Sequence, residues 1–106
     1  MLSANTIAQA VSRVVATANP TKVILFGSYA RGDAGEESDL DLLVIEPAIA
    51  SAGLEMVRLR NAVGHIGIGV DVLVCSEADA EKRGQVPGTV IYWALKEGKV
   101  LYDAAH

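Results

Sequence analysis

The chain has 106 residues, and 51% of them are hydrophobic, which is enough to fill the core of one domain over residues 1–106. Lysine and arginine total 9 against 13 aspartates and glutamates, so the formal net charge is -4. This balance argues against a protein that holds nucleic acid by its overall field, because phosphate binding needs clustered positive charge. We therefore expect a protein or small-molecule substrate rather than a nucleic acid.

Apolar periodicity and turn residues divide the chain into helices and strands. In chain order we predict a helix over 3–18, a strand over 22–26, a helix beginning at 28–31, a strand over 39–46, a helix over 49–63, a strand over 68–74, a short polar helix from 76, an apolar helix over 89–97 and an edge strand over 99–102. This order predicts an α/β fold in which helices pack on a small mixed sheet of about four strands.

The residues between these elements agree with the predicted boundaries. Ser3 or Asn5 can cap the first helix, and Asn19-Pro20 ends it. Residues 32–37 form an acidic loop without an apolar anchor. His65 lies in a glycine-rich connection and is interpreted as structural or exposed rather than catalytic.

Two aspartates, Asp39 and Asp41, stand two positions apart at the start of the second predicted strand. Residues i and i+2 of a strand face the same side, so both carboxylates can bind a common pair of metal ions. Leu40 and Leu42 then face the core. Mg²⁺ prefers hard oxygen ligands, which makes these two carboxylates candidate metal ligands.

Asp71 interrupts the apolar run of the third predicted strand, where a charge is costly unless it is paired or bound to a metal. Taken alone, it can also be interpreted as a core aspartate that accepts backbone N–H groups. Taken with Asp39 and Asp41, it is the candidate for a third carboxylate on a neighbouring strand.

Gly27-Ser28 lies where the first strand turns into a helix. Glycine permits close approach of the backbone, and a helix start offers N–H groups to phosphate. The Ser28 hydroxyl can bind a phosphate oxygen. Arg31, one helical turn later, can reach a triphosphate, or it pairs on the surface with Asp33 or Glu36.

Ten residues separate Ser28 from Asp39, so the chain carries the pattern Gly-Ser-x₁₀-Asp-x-Asp. This pattern resembles the active-site signature of the nucleotidyltransferases related to DNA polymerase β, and in particular of the minimal nucleotidyltransferases. The resemblance implies transfer of AMP from ATP with two Mg²⁺ ions. It implies metal-binding and catalytic roles for Asp39, Asp41 and Asp71, with Asp71 at the metal that activates the nucleophile. Relatives often carry a basic residue at the position of Tyr29.

The same resemblance implies a biological role. Minimal nucleotidyltransferases are typically encoded beside a HEPN-domain RNase toxin and act as antitoxins that transfer AMP to a tyrosine of the toxin. We expect no second domain like that of larger relatives, and therefore recognition by a shallow surface or by a docked partner, as a hetero-oligomer.

Two alternatives stay open at this point. The chain can be a binding antitoxin that masks its partner, which an exposed apolar patch around Val90, Tyr92, Trp93 and Leu95 would favour. It can also transfer a nucleotide to a small molecule or to an RNA 3′ end. Tyr92, Trp93 and Tyr102 are expected to pack in the core or to contact a partner.

The compartment is predicted from cysteine usage and apolar run length. The single cysteine, Cys75, cannot form an internal disulfide, and we expect it to be a buried thiol at the end of a strand. No apolar run reaches the length of a membrane span, and residues 1–5 lack a charged leader. We therefore expect a cytoplasmic protein without a membrane partner.

Overall fold

The computed structural model describes residues 2–105, and Met1 and His106, at the ends of the predicted domain, lie outside that range. The elements in chain order are α1 (Ala4–Ala18), β1 (Lys22–Phe26), α2 (Ser28–Arg31), β2 (Leu40–Glu46), α3 (Ala52–Val63), β3 (Val70–Ser76), α4 (Glu77–Arg83), α5 (Val90–Glu97) and β4 (Lys99–Asp103). The predicted α/β fold with a four-stranded sheet is confirmed.

Several boundaries differ from the predicted ones by one to three residues. The second strand begins at Leu40 rather than at Asp39, and the third begins at Val70 rather than at residue 68. Helix α3 begins at Ala52 rather than at residue 49, because the Ser51 side chain accepts a hydrogen bond from the N–H of Leu54 and so caps the helix there.

The ends of α1 lie where the sequence places them. The Ser3 side chain accepts a hydrogen bond from the N–H of Thr6, so Ser3 rather than Asn5 is the N-cap. Asn19 ends the helix with φ of +49°, a left-handed conformation that asparagine tolerates better than most residues. Pro20 follows and is buried.

The four strands form one mixed sheet in the order β3-β2-β1-β4. Strand β1 is antiparallel to both of its neighbours, whereas β2 and β3 are parallel. A parallel pair needs a crossover connection, and α3 provides it here. The starts of β2 and β3 therefore meet at the same edge of the sheet, beside the end of β1.

Both faces of the sheet are covered over most of its length. Leu40 and Leu42 lie in the larger cluster of buried side chains, which α1 and α3 complete. Leu43 and Ile45, on the other face, lie in a second cluster with residues from α4 and α5. Asp41 shares the face of Leu43 but is only half-buried, because this second layer does not fully cover the start of the strand.

The prediction that Cys75 is a buried thiol is confirmed. The side chain is 5% exposed within β3, and burial raises the pKa of the thiol to about 11. Among the helices described over residues 2–105, none is both long enough and apolar enough to cross a membrane.

Candidate active site

The register of the parallel strands brings two of the three predicted carboxylates together. Asp41 on β2 lies directly opposite Asp71 on β3. Phe26, the last residue of β1, lies opposite Asp41 on its other side. The row formed by Phe26, Asp41 and Asp71 therefore crosses the sheet at the edge where α2 begins.

Gly27 supports Asp41 by close contact. The glycine has φ of +74° and ψ of -154°, a conformation that is essentially restricted to glycine. A Cβ atom at this position would collide with Oδ2 of Asp41. Both the backbone conformation and the contact with Asp41 require a glycine at position 27.

Asp39 stands one residue before β2 and is exposed. Its carboxylate lies against the backbone of Gly69, where a Cβ atom would collide with Oδ1 of Asp39. The N–H of Leu40 donates a hydrogen bond of 3.0 Å to the carbonyl oxygen of Gly69, which holds the two segments together. Gly69 was not among the predicted site residues, and its only signal in the sequence is a glycine two residues before the third aspartate.

The environment of Asp41 raises the pKa of its carboxyl to about 6. Burial is the main cause, followed by the charges of Asp71 and Asp39 and a hydrogen bond with Asp71. The charge of Arg31 opposes this effect. Asp71 and Asp39 therefore lie close enough to Asp41 to act on it electrostatically.

Asp71 itself is exposed, which contradicts the alternative interpretation of it as a core aspartate. The reason is that β3 is an edge strand of the sheet. Val70 and Val72 are buried, whereas Asp71 points to the opposite, open face. Its position opposite Asp41, rather than a burial cost, is what links it to the other aspartates.

Arg31 and Ser28 occupy α2, next to this row. Arg31 is half exposed and makes ion pairs with Asp33 at 3.2 Å and with Glu97 at 3.4 Å. The pair with Asp33 is the surface interaction that the sequence offered as an alternative to a triphosphate contact. Ser28 is the first residue of α2, and its carbonyl oxygen accepts hydrogen bonds from the N–H groups of Gly32 and Asp33.

The carboxylates of Asp39, Asp41 and Asp71 are chemically suitable ligands for a divalent cation. Carboxylate oxygens are the ligands that Mg²⁺ prefers, and positive charge here would favour the charged form of Asp41, whose pKa is raised by burial and by the charges of Asp71 and Asp39. Within residues 2–105, no three acidic, histidine or cysteine side chains converge closely enough to form a ready metal cluster. Asp41 and Asp71 form the close pair, and Asp39 stands against Gly69.

A cleft of about 320 Å³ opens beside this pair, between α3 and the exposed edge of β3. Its lining residues come from β1, β2, β3, α3 and the first residue of α5. They are Phe26, Asp41, Gly53, Met56, Val57, Arg60, Asp71, Val72, Leu73 and Val90. Arg60 was not among the predicted site residues, but it lines this cleft.

The aromatic residues of the last helix and strand divide between surface and core. Trp93 is 48% exposed, and its ring makes an edge-to-face contact with that of Tyr92 at 5.3 Å between centroids. Tyr102 is half-buried and packs against the larger core cluster. His65 is exposed in the connection between α3 and β3, as predicted.

Comparison with known proteins identifies sequence relatives. Residues 5–101 match the model of the nucleotidyltransferase domain family. A protein of Methanocaldococcus jannaschii is 35% identical over 86 residues, which cover 76% of this chain and 77% of that protein. A second protein of that organism is 35% identical over 86 residues, which cover 57% of its own length. A third is 71% identical over 53 residues, or 52% of its length. All three are named as inferred protein adenylyltransferases.

Two solved structures share the fold. The crystal structure of an inferred nucleotidyltransferase from Sulfolobus solfataricus gives a TM-score of 0.65 at 18% identity, over 95% of this chain and 80% of that one. A crystal structure of a toxin-antitoxin with AMP-PNP gives a TM-score of 0.54 at 20% identity, over 91% of this chain and 73% of that one.

Proposed function

This chain belongs to the nucleotidyltransferase domain family, and on that premise we propose that it transfers AMP from ATP to a protein acceptor. The observation that carries the proposal is the pairing of Asp41 with Asp71, with Gly27 pressed against Asp41 and Asp39 beside Gly69. The names of the three Methanocaldococcus relatives support a protein as the acceptor.

In this proposal, Asp39, Asp41 and Asp71 hold two Mg²⁺ ions. Bound there, the ions supply the positive charge that neutralises the triphosphate and stabilises the attacking and leaving oxygens. The chain itself contributes the negative charge of the carboxylates. At Gly27 it also contributes a residue without a side chain, which leaves space for Asp41. Gly27-Ser28 binds phosphate oxygens, and Arg31 contributes positive charge from the first turn of α2.

The transfer requires one bond to form and one to break. An acceptor hydroxyl oxygen attacks the α-phosphorus of ATP, and the bond from that phosphorus to the bridging oxygen of the β-phosphate breaks, which releases pyrophosphate. The hydroxyl proton passes to the carboxylate of Asp71, which lies exposed and opposite Asp41. The acceptor leaves carrying AMP.

We further propose that the acceptor is a tyrosine of a HEPN-type RNase toxin and that the chain thereby acts as an antitoxin. The solved toxin-antitoxin with AMP-PNP, which shares this fold, supports a toxin as the partner. The physical effect is direct, because each added phosphate brings negative charge close to where RNA must bind.

The test is the intact mass of a neighbouring HEPN-type toxin after incubation with this chain, ATP and Mg²⁺. We expect a gain of whole AMP units that an Asp39→Asn/Asp41→Asn double variant abolishes. Full neutralisation of the toxin without any modified tyrosine would rule out the enzymatic antitoxin. If the transferred AMP is found on a small molecule or on RNA instead, the acceptor belongs to that class.

A second candidate function is a binding antitoxin that masks its partner. One observation favours it: Val90 and Trp93 of α5 are 55% and 48% exposed, and Leu95 on the same helix is 37% exposed. Exposed apolar side chains of this kind are typical of protein contacts. Under this alternative, the Asp39→Asn/Asp41→Asn variant neutralises the toxin as well as the wild type does.

A further inference from the structure

We propose that the cleft between α3 and the edge of β3 binds the acceptor side chain, and that Arg60 holds an acidic group of the acceptor beside the reacting hydroxyl. The inference rests on the proposed function, since it divides the site into a nucleotide side and an acceptor side. It assigns a substrate class: a protein segment in which a hydroxyl-bearing aromatic residue stands next to a carboxylate.

The order of the strands separates the two sides. Gly27-Ser28 follows β1, which lies on one side of β2. The cleft begins at Phe26, the last residue of β1, and extends away from Gly27-Ser28, across Asp41 and Asp71, to α3. A triphosphate bound at the start of α2 therefore leaves the α3 end of the cleft free, and Asp71 stands between the two.

The walls of the cleft suit a side chain better than a phosphate chain. Most lining residues are apolar, and Met56, Val72 and Leu73 form part of this surface. Val57 and Val90 also line it and remain 48% and 55% exposed. A volume of about 320 Å³ lies at the small end of the usual range of about 300–1,000 Å³ for ligand sites, which suits one aromatic side chain with its neighbours.

Arg60 is the cationic residue among those that line the cleft. Within residues 2–105 its side chain makes no hydrogen bond or ion pair. Arg58, two positions earlier, is instead bound to Glu55 and to the carbonyl oxygen of Thr17. A guanidinium without a partner beside an apolar wall is suited to a carboxylate, which it can bind with two parallel hydrogen bonds.

The test uses two short peptides, N-acetyl-Glu-Tyr-Glu-amide and N-acetyl-Ala-Tyr-Ala-amide. Backbone amide shifts of the labelled protein report where each peptide binds, without ATP and therefore without transfer. We expect shifts concentrated at Val57, Arg60 and Val90, with the acidic peptide bound about ten-fold more tightly. Arg60→Ala should remove this preference, and Lys82→Ala, which removes an exposed cation on α4, should leave it unchanged.

A second variant keeps the test decisive if peptide charge alone drives binding. Val57→Asp places a carboxylate on the apolar wall and should weaken binding of both peptides. Shifts elsewhere on the surface, or an acidic preference that survives in Arg60→Ala, would overturn the cleft as the acceptor site.

Transfer of AMP is measured separately on the same peptides, with ATP and Mg²⁺, by mass. Binding in the cleft without any transfer supports the acceptor site and counts against the proposed reaction. Transfer with binding elsewhere supports the reaction and overturns the acceptor site. If AMP is transferred to the peptides, we expect Arg60→Ala to raise the KM for the acidic peptide about ten-fold while the KM for ATP stays constant.

Discussion

Asp41 and Asp71 occupy paired positions in the parallel ladder of β2 and β3, thirty residues apart in sequence. Because α3 returns the chain to the same edge of the sheet, the two carboxylates meet on the face that the second core leaves partly open. Burial, and then the charges of Asp71 and Asp39, raise the pKa of Asp41, and a positive charge placed beside the carboxylates would lower it.

Replacing either member of this pair should abolish nucleotide transfer. Asp41→Asn and Asp71→Asn each remove one negative charge from the site, and we expect a loss of about 100-fold or more in kcat, a loss typical of removing one charge-stabilising group. The measurement is AMP incorporation into the acceptor protein. Glu81→Gln, on the exposed side of α4, is the matched control and should retain full activity.

The titration of Asp41 should respond to its neighbours. Its pKa of about 6 lies above its ordinary value because of burial and then the charges of Asp71 and Asp39. Asp71→Asn should therefore lower the pKa of Asp41, and added Mg²⁺ should lower it in the wild type, since a cation favours the charged form. Carboxyl carbon shifts in NMR measure both effects. If the pKa of Asp41 is the same in Asp71→Asn as in the wild type, the close pairing of the two carboxylates is contradicted.

The raised pKa of Asp41 also predicts that the stability of the metal-free protein depends on pH. A folded-state pKa raised above the unfolded value means that the folded protein holds the proton more tightly. The resulting stabilisation is fully present below about pH 4 and is lost as the pH rises through about 6. Asp41→Asn should remove this contribution, so its free energy of unfolding relative to the wild type should rise over that interval.

Substitutions at Gly27 and Gly32 separate the effect of backbone strain from the effect of a collision in the active site. Gly27→Ala combines strain of about 1–3 kcal/mol with a collision at Asp41. Gly32→Ala adds strain of about 1–2 kcal/mol at φ of +83°, but its Cβ meets no atom within 4 Å. We expect both to lower the melting temperature, and only Gly27→Ala to abolish transfer.

Gly69→Ala tests Asp39 in the same way. Its Cβ collides with the Asp39 carboxylate, and the position carries no left-handed backbone strain. We expect a large loss of activity with a smaller loss of stability than in Gly27→Ala. Activity equal to the wild type would mean that Asp39 can move freely and still function.

A buried carboxyl group at the opposite end of β2 predicts a second pH effect. Glu46 is 7% exposed, and one of its carboxyl oxygens, Oε2, has no hydrogen-bond partner within the described residues. Burial and the neighbouring Glu55 raise the pKa of Glu46 to about 7. Arg58 holds Glu55 in its charged form by a hydrogen bond, which lowers the pKa of Glu55.

Glu46→Gln should therefore change the pH dependence of stability. The protonated form of Glu46 stabilises the wild type at low pH, and this contribution is lost as the pH rises through about 7. Glutamine imitates the protonated carboxyl and does not titrate. We expect Glu46→Gln to match the wild type at about pH 4 and to exceed it at pH 8 by about 1–3 kcal/mol. Thermal unfolding from pH 4 to pH 8 measures this difference, and a difference that stays constant over this range would contradict the prediction.

The sequence by itself predicted the nine elements and their order, because periodicity and caps act over a few residues. Ser3, Asn19 and Gly64 mark helix ends at positions where local geometry alone decides the boundary. It also placed Asp39, Asp41 and Gly27-Ser28 in one motif, since their spacing along the chain is a local property.

Only the tertiary structure decided which distant groups meet. The register of β2 against β3 pairs Asp41 with Asp71, and Gly69 supports Asp39 from a segment about thirty residues later. The exposure of Asp71 follows from β3 being an edge strand, and the cleft at Arg60 follows from the crossing of α3. Local patterns determine what each segment becomes, whereas strand order and register depend on packing between segments, which spacing along the chain does not contain.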